Sequence, residues 1–334
     1  MSAPTTLAKA INIGLRRSME ADPKVLIMGE DVGRLGGVFR VTDGLQKDFG
    51  DDRVIDTPLA ESGIIGTAIG LAMRGYRPVC EIQFDGFIYP AFDQLVSQLA
   101  KMTYRSGGRL RLPVVVRVPF GGGIGAVEHH SESPEAYFAH TAGLRVVACS
   151  NPEDACTMIQ QAVRGDDPVM VFEPKRRYWD KAEVDDAVLD GSLVAAGRAP
   201  ALHAARVVRP GTGITIAAYG PTVATALAAA DVAATEGRSL EVVDLRSLSP
   251  LDLDTLTASV RRTGRLVVVH EASTFLGMSA EIAAAVTERC FHHLEAPVLR
   301  VGGFHTPYPA ARIEDHYLPD LDRVLDAVDR ALAF

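Results

Sequence analysis

Strands and helices are predicted to alternate along nearly the whole chain, and this alternation limits the fold more than any other feature. Short runs typical of strands occur at residues 25–28, 112–118 and 214–218. Segments with helical periodicity, such as residues 7–19 and 222–235, lie between them. The run at 112–118 is rich in β-branched residues, which suits a strand that is covered on both faces of a parallel sheet. The pattern therefore predicts an α/β fold with parallel sheets.

The chain is long enough for two domains. Its 334 residues exceed what one hydrophobic core usually serves. The alternation is interrupted between Lys175 and Thr212, where the sequence is first rich in charge and then rich in Ala and Gly. We predict two doubly wound α/β domains, at residues 1–180 and 213–334, joined by a connecting segment at 181–212.

Composition and charge exclude several classes of protein. The net charge of −8 argues against a nucleic-acid partner, which would require a basic face. The most apolar region, residues 214–234, is interrupted by Gly220, Pro221 and Asp231, so no membrane span is expected. The four cysteines have no metal-ligand spacing and are interpreted as buried, reduced thiols. A cytoplasmic location is the prediction.

One carboxylate is carried into an apolar helix. Residues 53–66 predict a short strand, a turn at Thr57-Pro58 and a helix that begins near Ala60. That helix is almost wholly apolar, which is typical of a buried or interfacial helix. Its first turn contains Glu61. From position alone, Glu61 could simply complement the helix dipole, which stabilises a helix by roughly 0.3–1 kcal/mol.

A glycine loop and two histidines follow the strand at 112–118. Gly121-Gly-Gly-Ile-Gly-Ala126 formally matches a dinucleotide-binding pattern, but no helix is predicted to open at the glycines. A loop whose backbone approaches a ligand or a partner chain is the better interpretation. His129 and His130 are adjacent, so they point in different directions and are poor joint metal ligands. His130 is either a surface histidine or a proton donor that faces an anionic substrate.

Polar and aromatic residues also occur at and just after the end of the strand predicted at 78–84. Gln83 and Phe87 lie near the expected carboxyl edge of the sheet, where ligands of open α/β sheets bind. Phe87 is either a core residue or a ring that stacks on a flat heterocycle. A helix is predicted from about residue 88 to residue 105. No diphosphate-metal motif of the G-D-G…N type, no P-loop and no serine elbow occurs in residues 1–180 or 214–330.

Taken together, the sequence resembles the beta subunit of the thiamine-diphosphate 2-oxo acid dehydrogenase component of a multienzyme complex. The matching stretches occur in family order and span nearly the whole chain. They are Met28-Gly-Glu-Asp-Val32, Gly36-Gly-Val-Phe39, Thr57-Pro-Leu-Ala-Glu-Ser-Gly63, Glu81-Ile-Gln-Phe84, Tyr104-Arg-Ser-Gly107, His130-Ser-Glu-Ser-Pro-Glu135, Phe172-Glu-Pro-Lys175, Val243-Asp-Leu-Arg246 and Thr263-Gly-Arg265. The resemblance implies a pyrimidine-binding domain of the thiamine-diphosphate fold, followed by a transketolase-C-terminal-like domain.

The resemblance also implies roles for individual residues. Glu61 would hydrogen-bond a ring nitrogen of the aminopyrimidine of thiamine diphosphate and promote the imino tautomer that the reaction needs; a dry setting strengthens such a bond. Leu59, Gln83 and Phe87 would line the same ring. Many branched-chain enzymes of the family have Tyr at the Phe87 position, so the hydroxyl would be lost here. His130 would face the substrate and the lipoyl arm.

Partners and metals are implied in the same way. The family works as a heterotetramer of two alpha and two beta chains, in which the alpha chain holds the diphosphate and Mg²⁺. A lipoyl acyltransferase core accepts the acyl group. The beta chain of the family often binds K⁺ through backbone groups; the corresponding residues are Leu112, Val114, Val115, Ala162, Gly165 and Asp167.

The substrate implied by the resemblance is a small 2-oxo acid. The motifs Glu81-Ile-Gln-Phe84 and Arg105-Ser-Gly-Gly108 resemble those of branched-chain enzymes that act on 3-methyl-2-oxobutanoate, although some pyruvate dehydrogenases have the same motifs. The branched-chain substrate is the prediction and pyruvate the alternative. A self-sufficient transketolase relative would need its own diphosphate motif. A non-catalytic scaffold subunit is the alternative from another class, and the presence of Glu61 and His130 argues against it.

Overall fold

Two units, each with its own sheet, make up the chain. The computed structural model describes residues 2–334, with side chains from residue 4 onward. The first unit consists of the chain up to Phe120 together with Tyr137–Leu202. The second consists of Gly121–Ala136 together with His203–Phe334. The loop that carries His130 therefore belongs to the second unit, although both of its neighbours in sequence belong to the first.

The first unit is built on a parallel sheet. Within the described residues its strands are β1 (Ser2–Thr6), β2 (Val25–Gly29), β3 (Val54–Asp56), β4 (Arg77–Glu81), β5 (Val115–Phe120), β6 (Arg145–Ala148), β7 (Val169–Pro174) and β8 (Lys181–Asp185). Strands β6, β7, β5, β4, β2 and β3 lie side by side in that order and are all parallel. Every residue of β2, β5 and β7 is buried, as the runs of apolar residues predict.

The helices of the first unit follow the predicted alternation. They are α1 (Leu7–Ala21), α2 (Leu45–Phe49), α3 (Glu61–Met73), α4 (Ala100–Arg105), α5 (Glu135–Ala139, which starts in the second unit), α6 (Pro152–Arg164), α7 (Asp186–Leu189) and α8 (Ser192–Ala195). Helices α1 and α6 pack closely because Gly14 has no side chain: a Cβ there would lie 2.3 Å from Ile159 Cγ2. Thr6 and Asn151 cap the two helices by accepting backbone N–H bonds.

Two segments of this unit show detail that the sequence did not predict. The helix expected from about residue 88 to residue 105 is present but changes type along its length: a 3₁₀ segment, Asp85–Ala91, is followed by a π-helical segment, Gln94–Leu99, and then by α4. Pro90 lies inside the 3₁₀ segment, where it lacks the N–H that a regular helix would use. The stretch between Lys175 and Thr212 is also more regular than a plain connection, because β8 pairs antiparallel with β1.

The second unit has a mixed sheet. The strands within residues 203–334 are β9 (Arg206–Arg209), β10 (Ile214–Ala218), β11 (Leu240–Asp244), β12 (Ser247–Ser249), β13 (Leu266–Ser273) and β14 (Leu299–Gly303), and all of them except β12 belong to this sheet. The order is β14, β13, β10, β11, β9, and only the edge strand β9 runs antiparallel. The helices are α9 (Thr222–Thr235), α10 (Leu253–Thr263), α11 (Met278–Cys290), α12 (Glu314–Tyr317) and α13 (Leu321–Leu332). Alanines on α9 pack with Val324 and Val328 of α13 in the core.

The cysteines agree with the expectation from sequence. Cys80, Cys149, Cys156 and Cys290 are free thiols and all are buried. Burial raises the pKa of Cys156 to about 12, so this thiol is protonated and unreactive at neutral pH. Within residues 2–334, no helix combines the length and the apolar character needed to cross a membrane.

A buried histidine makes the stability of the second unit depend on pH. His270 on β13 is fully buried, and its Nε2 lies 2.7 Å from Ser279 Oγ at the start of α11. Burial lowers the pKa of His270 to about 4. Because the unfolded histidine titrates near 6.5, its contribution to the free energy of unfolding is complete above pH 6.5 and falls by roughly 3 kcal/mol as the pH drops to 4.

We therefore expect His270→Gln to flatten the acid limb of the stability curve. Urea unfolding of the full chain at several pH values between 7 and 4 measures this slope. His292→Gln is the control, because His292 is exposed and its replacement leaves the wild-type slope in place. A His270→Gln slope equal to that of the wild-type protein would contradict the assignment.

Candidate active site

Helix α3 places the Glu61 carboxylate in a dry position. Strand β3 ends at Asp56, and α3 begins at Glu61, directly after Ala60. Glu61 is only 7% exposed, and Ile64, Ile65 and Ala68 on the same helix are buried. The other face of α3 is exposed in this chain, including Met73 at 49%. Glu61 is thus held at the helix N-terminus, next to the carboxyl ends of strands β2 and β3.

A second carboxylate, Glu30, lies beside Glu61, and no role was predicted for it from the sequence. Glu30 follows β2 directly and is 8% exposed. Burial, then the negative charges of Glu61 and Asp31, raise the pKa of Glu30. Its Oε1 atom is buried and has no hydrogen-bond partner among residues 2–334. A buried carboxyl with a raised pKa and an open oxygen is a group that can hold or pass a proton.

Gln83 joins this group through Glu30. Its Nε2 donates to Asp31 Oδ2 at 3.0 Å and to the Glu30 carbonyl at 3.4 Å. The structure therefore brings together Glu61, Glu30 and Gln83 at one edge of the sheet. Leu59 is not part of this buried group, since 80% of its surface is exposed in this chain.

Phe87 belongs to an aromatic group at the same edge. Its ring meets Phe84 edge-on with centroids 5.7 Å apart, and Phe84 meets Phe39 in the same way at 5.3 Å. Phe87 lies in the 3₁₀ segment that begins at Asp85, and Asp85 forms a fully buried ion pair with Lys175. This pair fixes the start of the segment. Phe87 is half-buried, so its ring remains partly available to a ligand.

A buried ion network crosses the sheet beneath this edge. Arg117 on β5 donates two hydrogen bonds to Glu173, at 2.7 and 2.8 Å, and one to Glu81 at 2.5 Å. The Tyr178 hydroxyl donates to Glu173 at 2.7 Å. Burial disfavours the charge on Arg117, but the charges of Glu173 and Glu81 outweigh burial and raise the pKa of Arg117. In the sequence, the single arginine within the β-branched run at 112–118, Arg117, is the feature that could have indicated this network.

His130 lies in the second unit. It ends a 3₁₀ turn, Glu128–His130, in which the His130 N–H donates to the Val127 carbonyl at 3.0 Å. His130 is half-buried, whereas 69% of the side chain of His129 is exposed. The loop is closed at its base, because the Gly121 N–H donates to the Glu132 carbonyl at 2.9 Å. Of the two histidines, His130 is therefore the better held.

Four of the six backbone carbonyls expected to hold K⁺ already accept hydrogen bonds. Gly165 O accepts from the Arg77 guanidinium at 2.7 Å, which places a positive charge on one of the expected ligands. Asp167 pairs with Arg145 through its side chain. The carbonyls of Leu112, Val114 and Ala162 also accept hydrogen bonds from backbone N–H groups. Val115 is buried in β5. Gly165 does not fit a K⁺ site while Arg77 binds it.

Two family models match this chain. Residues 3–180 match the model described as transketolase, pyrimidine binding domain, and residues 203–324 match transketolase, C-terminal domain. The group formed by Glu61, Glu30 and Gln83 lies within the first match. His130 lies there by sequence as well.

Known proteins align along almost the full length of the chain. A pyruvate dehydrogenase E1 component subunit beta of Leifsonia xyli is 61% identical over 98% of this chain and 95% of its own length. A 3-methyl-2-oxobutanoate dehydrogenase subunit beta of Mycobacterium tuberculosis is 54% identical over 98% and 92%. A 2-oxoisovalerate dehydrogenase subunit beta of Pseudomonas aeruginosa is 46% identical over 98% and 95%.

A solved structure supports the fold. The chain of a split-gene transketolase, described as an inactive beta4 tetramer, superposes with a TM-score of 0.78 over 98% of both chains, at 22% identity. Both domain matches and the full-length relatives agree with the α/β fold predicted from sequence. The chain therefore belongs to the family of E1 beta subunits of 2-oxo acid dehydrogenases, built from transketolase pyrimidine-binding and C-terminal domains.

Proposed function

We propose that this chain is the beta subunit of a heterotetramer of two alpha and two beta chains that decarboxylates a 2-oxo acid oxidatively and transfers the acyl group to a lipoyl domain. The observation that carries the proposal is the buried carboxylate pair of Glu61 and Glu30 at the edge of the first sheet. A structural role alone would not require two carboxyls in one dry place, since like charges there raise the cost of ionisation.

Thiamine diphosphate fits these residues. Two buried oxygen atoms near α3, Glu30 Oε1 and Thr57 Oγ1, have no hydrogen-bond partner within the described chain, so the site has capacity for a polar ring. When bound, this cofactor supplies the nucleophilic carbon and takes up the electrons left as carbon dioxide departs. Glu61 would hold and exchange a proton at a ring nitrogen. Gln83 and Phe87 would orient the ring, and Leu59 would cover it.

We assign His130 to the second half of the reaction. It would face the substrate and the lipoyl arm, and would act as a proton donor or as a clamp on the lipoyl group during acyl transfer, because histidine titrates near neutral pH. Its half-buried position on a closed loop supports this assignment. A scaffold subunit without catalytic residues is the competing proposal, and it predicts that replacing His130 leaves turnover unchanged.

The remaining cofactors and partners follow from the same proposal. Among residues 2–334 no group of three or more His, Cys, Asp or Glu side chains is arranged to hold a metal ion. We therefore assign Mg²⁺ and the diphosphate to the alpha subunit. K⁺ would use the expected backbone ligands other than Gly165. The domain limits of 1–180 and 213–334, with 181–212 between them, and a cytoplasmic location are part of the proposal.

For the substrate we propose 3-methyl-2-oxobutanoate, and pyruvate is the second candidate. The relatives named for branched-chain substrates, from Mycobacterium tuberculosis and Pseudomonas aeruginosa, support the first, and the relative from Leifsonia xyli supports the second. Branched-chain amino-acid breakdown would be the pathway in the first case. The two acids differ by apolar groups, and each methylene contributes about 1–3 kcal/mol to discrimination in an apolar pocket.

We expect kcat/KM for 3-methyl-2-oxobutanoate to exceed that for pyruvate by about tenfold or more. The measurement uses the chain coexpressed with its alpha partner, supplied with thiamine diphosphate and Mg²⁺, and an artificial electron acceptor. The same preparation without the alpha partner is the control and is expected to be inactive. A preference for pyruvate would reverse the substrate assignment and leave the role of Glu61 in place.

A further inference from the structure

The loop that carries His130 is rich in glycine at its start, at residues 121–125. Three of its glycines, Gly121, Gly123 and Gly125, have φ of +82°, +86° and +71°, a region that other residues rarely adopt. Glycine loses more conformational freedom on ordering than any other residue. Contacts from outside the loop would therefore restrict the position of His130 further.

Such contacts come from Glu314, which is 5% exposed at the start of α12. Its Oε1 accepts the Gly123 N–H at 2.7 Å, and its Oε2 accepts the Gly125 N–H at 3.0 Å. The two oxygens of one carboxylate thus bind two alternate amides of the loop. Hydrogen bonds to an ionised acceptor are roughly twice as strong as neutral ones.

Two further side chains, Tyr308 and Glu271, support the same loop, and together with Glu314 they form what we call the clamp. The Tyr308 hydroxyl donates to Glu314 Oε1 at 2.6 Å, and Glu271 Oε2 accepts the Gly122 N–H at 3.0 Å. Burial and the Glu314 carboxylate raise the pKa of Tyr308, so this hydroxyl stays a donor. A Cβ at Gly122 would lie 1.7 Å from Tyr308 Oη, which leaves no room for a side chain there. Every one of these residues belongs to the second unit.

We propose that Glu314 is a positioning residue for His130 and acts by fixing the glycine loop through Gly123 and Gly125. This inference rests on the role proposed for His130. Glu314 lies 184 positions beyond His130 in the chain, and nothing in the resemblance assigned it a role. Loss of the clamp lets the loop depart from the geometry in which His130 meets the acyl group.

The test is Glu314→Gln in the assembled complex with thiamine diphosphate and Mg²⁺. Glutamine keeps the volume but turns one acceptor into a donor that faces a backbone N–H. We expect kcat for acyl transfer to a lipoyl domain to fall about 10- to 100-fold, because a small misplacement of a reacting group has an effect of that size. KM for the 2-oxo acid should stay within error, whereas the midpoint of thermal unfolding should fall by about a few degrees because a buried hydrogen bond to the carboxylate is lost. Hydrogen exchange of the peptide spanning 121–132 should become faster.

A double-mutant cycle separates positioning from general damage. In a His130→Ala background, Glu314→Gln should lower kcat less than about twofold, since the residue it positions is gone. Tyr308→Phe removes only one bond to the carboxylate and should lower kcat about threefold to tenfold. Glu288→Gln, on the exposed face of α11, is the matched control and should leave both kcat and exchange unchanged.

The results for the two variants distinguish the positioning role of Glu314 from the role proposed for His130. If His130→Ala loses acyl transfer but Glu314→Gln retains it, the inference is overturned and the role of His130 stands. Equal losses for Glu314→Gln in both backgrounds overturn it as well. If His130→Ala transfers acyl groups normally, the proposed role of His130 fails first, and the positioning role fails with it.

Discussion

Replacing Glu61 with glutamine is expected to lower the rate of decarboxylation by about 10²- to 10⁴-fold, the usual contribution of a positioned acid or base. Glutamine can still hydrogen-bond a ring nitrogen, but it cannot exchange a proton with it. The side chain keeps its volume in a position that is 7% exposed, so α3 and the assembly should remain folded. The measurement is turnover of the 2-oxo acid with an artificial acceptor, beside the mass of the native complex.

A second readout of the Glu61 replacement requires no cofactor. Because the charge of Glu61 helps to raise the pKa of Glu30, its removal should lower the pKa of Glu30. An NMR titration of the Glu30 carboxyl measures the change. Glu183→Gln, at an exposed position on β8, is the matched control. Near-normal turnover of the Glu61→Gln complex would contradict the catalytic role proposed for Glu61.

Replacing Arg117 with methionine should have the largest effect on stability. The change leaves Glu173 and Glu81, which are 0% and 4% exposed, without the cation that neutralises them. Removing one partner of a buried ion pair typically costs about 3–5 kcal/mol of the free energy of unfolding. For a unit of this size we expect the midpoint of thermal unfolding to fall by roughly 10 °C. Calorimetry of the full chain is the measurement.

The pH dependence of the Arg117 variant tests the cause of this loss. Burial already raises the pKa of Glu81 while Arg117 opposes the shift. Without Arg117 the carboxyl takes up a proton more readily, so the gap between variant and wild-type stability should narrow as the pH falls toward 5. Adding Glu173→Gln to the variant should recover part of the loss. Arg198→Met, at an exposed arginine, is the control; a loss as large there would contradict the buried-pair explanation.

Local pattern predicted the regular elements well. Strand β10 and helix α9 occupy the residues expected from sequence, Ile214–Ala218 and Thr222–Thr235. Burial of Glu61 also followed from the apolar helix that carries it. These features depend on side-chain periodicity over a few turns or strand residues, and that signal is present in any short window of the sequence.

Features that depend on distant partners were not visible in the sequence. Strand β8 pairs with β1 across about 180 positions, and no local pattern in the charge-rich stretch at 181–185 indicated it. Glu314 has the same character, since its partners Gly123 and Gly125 lie far away in the chain. Glu30 lies in the family motif Met28-Gly-Glu-Asp-Val32, but its raised pKa could not be predicted from that motif. The pKa is raised by burial and by the charge of Glu61, and Glu61 lies beside Glu30 only in the folded chain.

The assignment of Gly121–Ala136 to the second unit has a consequence for recombination between relatives. A chimera joined at a single crossover near residue 200 would pair the glycine loop of one parent with the Glu271 and Glu314 of the other. The segment that relatives can exchange as one block is therefore discontinuous in sequence. Residues 121–136 and residues 203–334 should come from the same parent to keep these contacts.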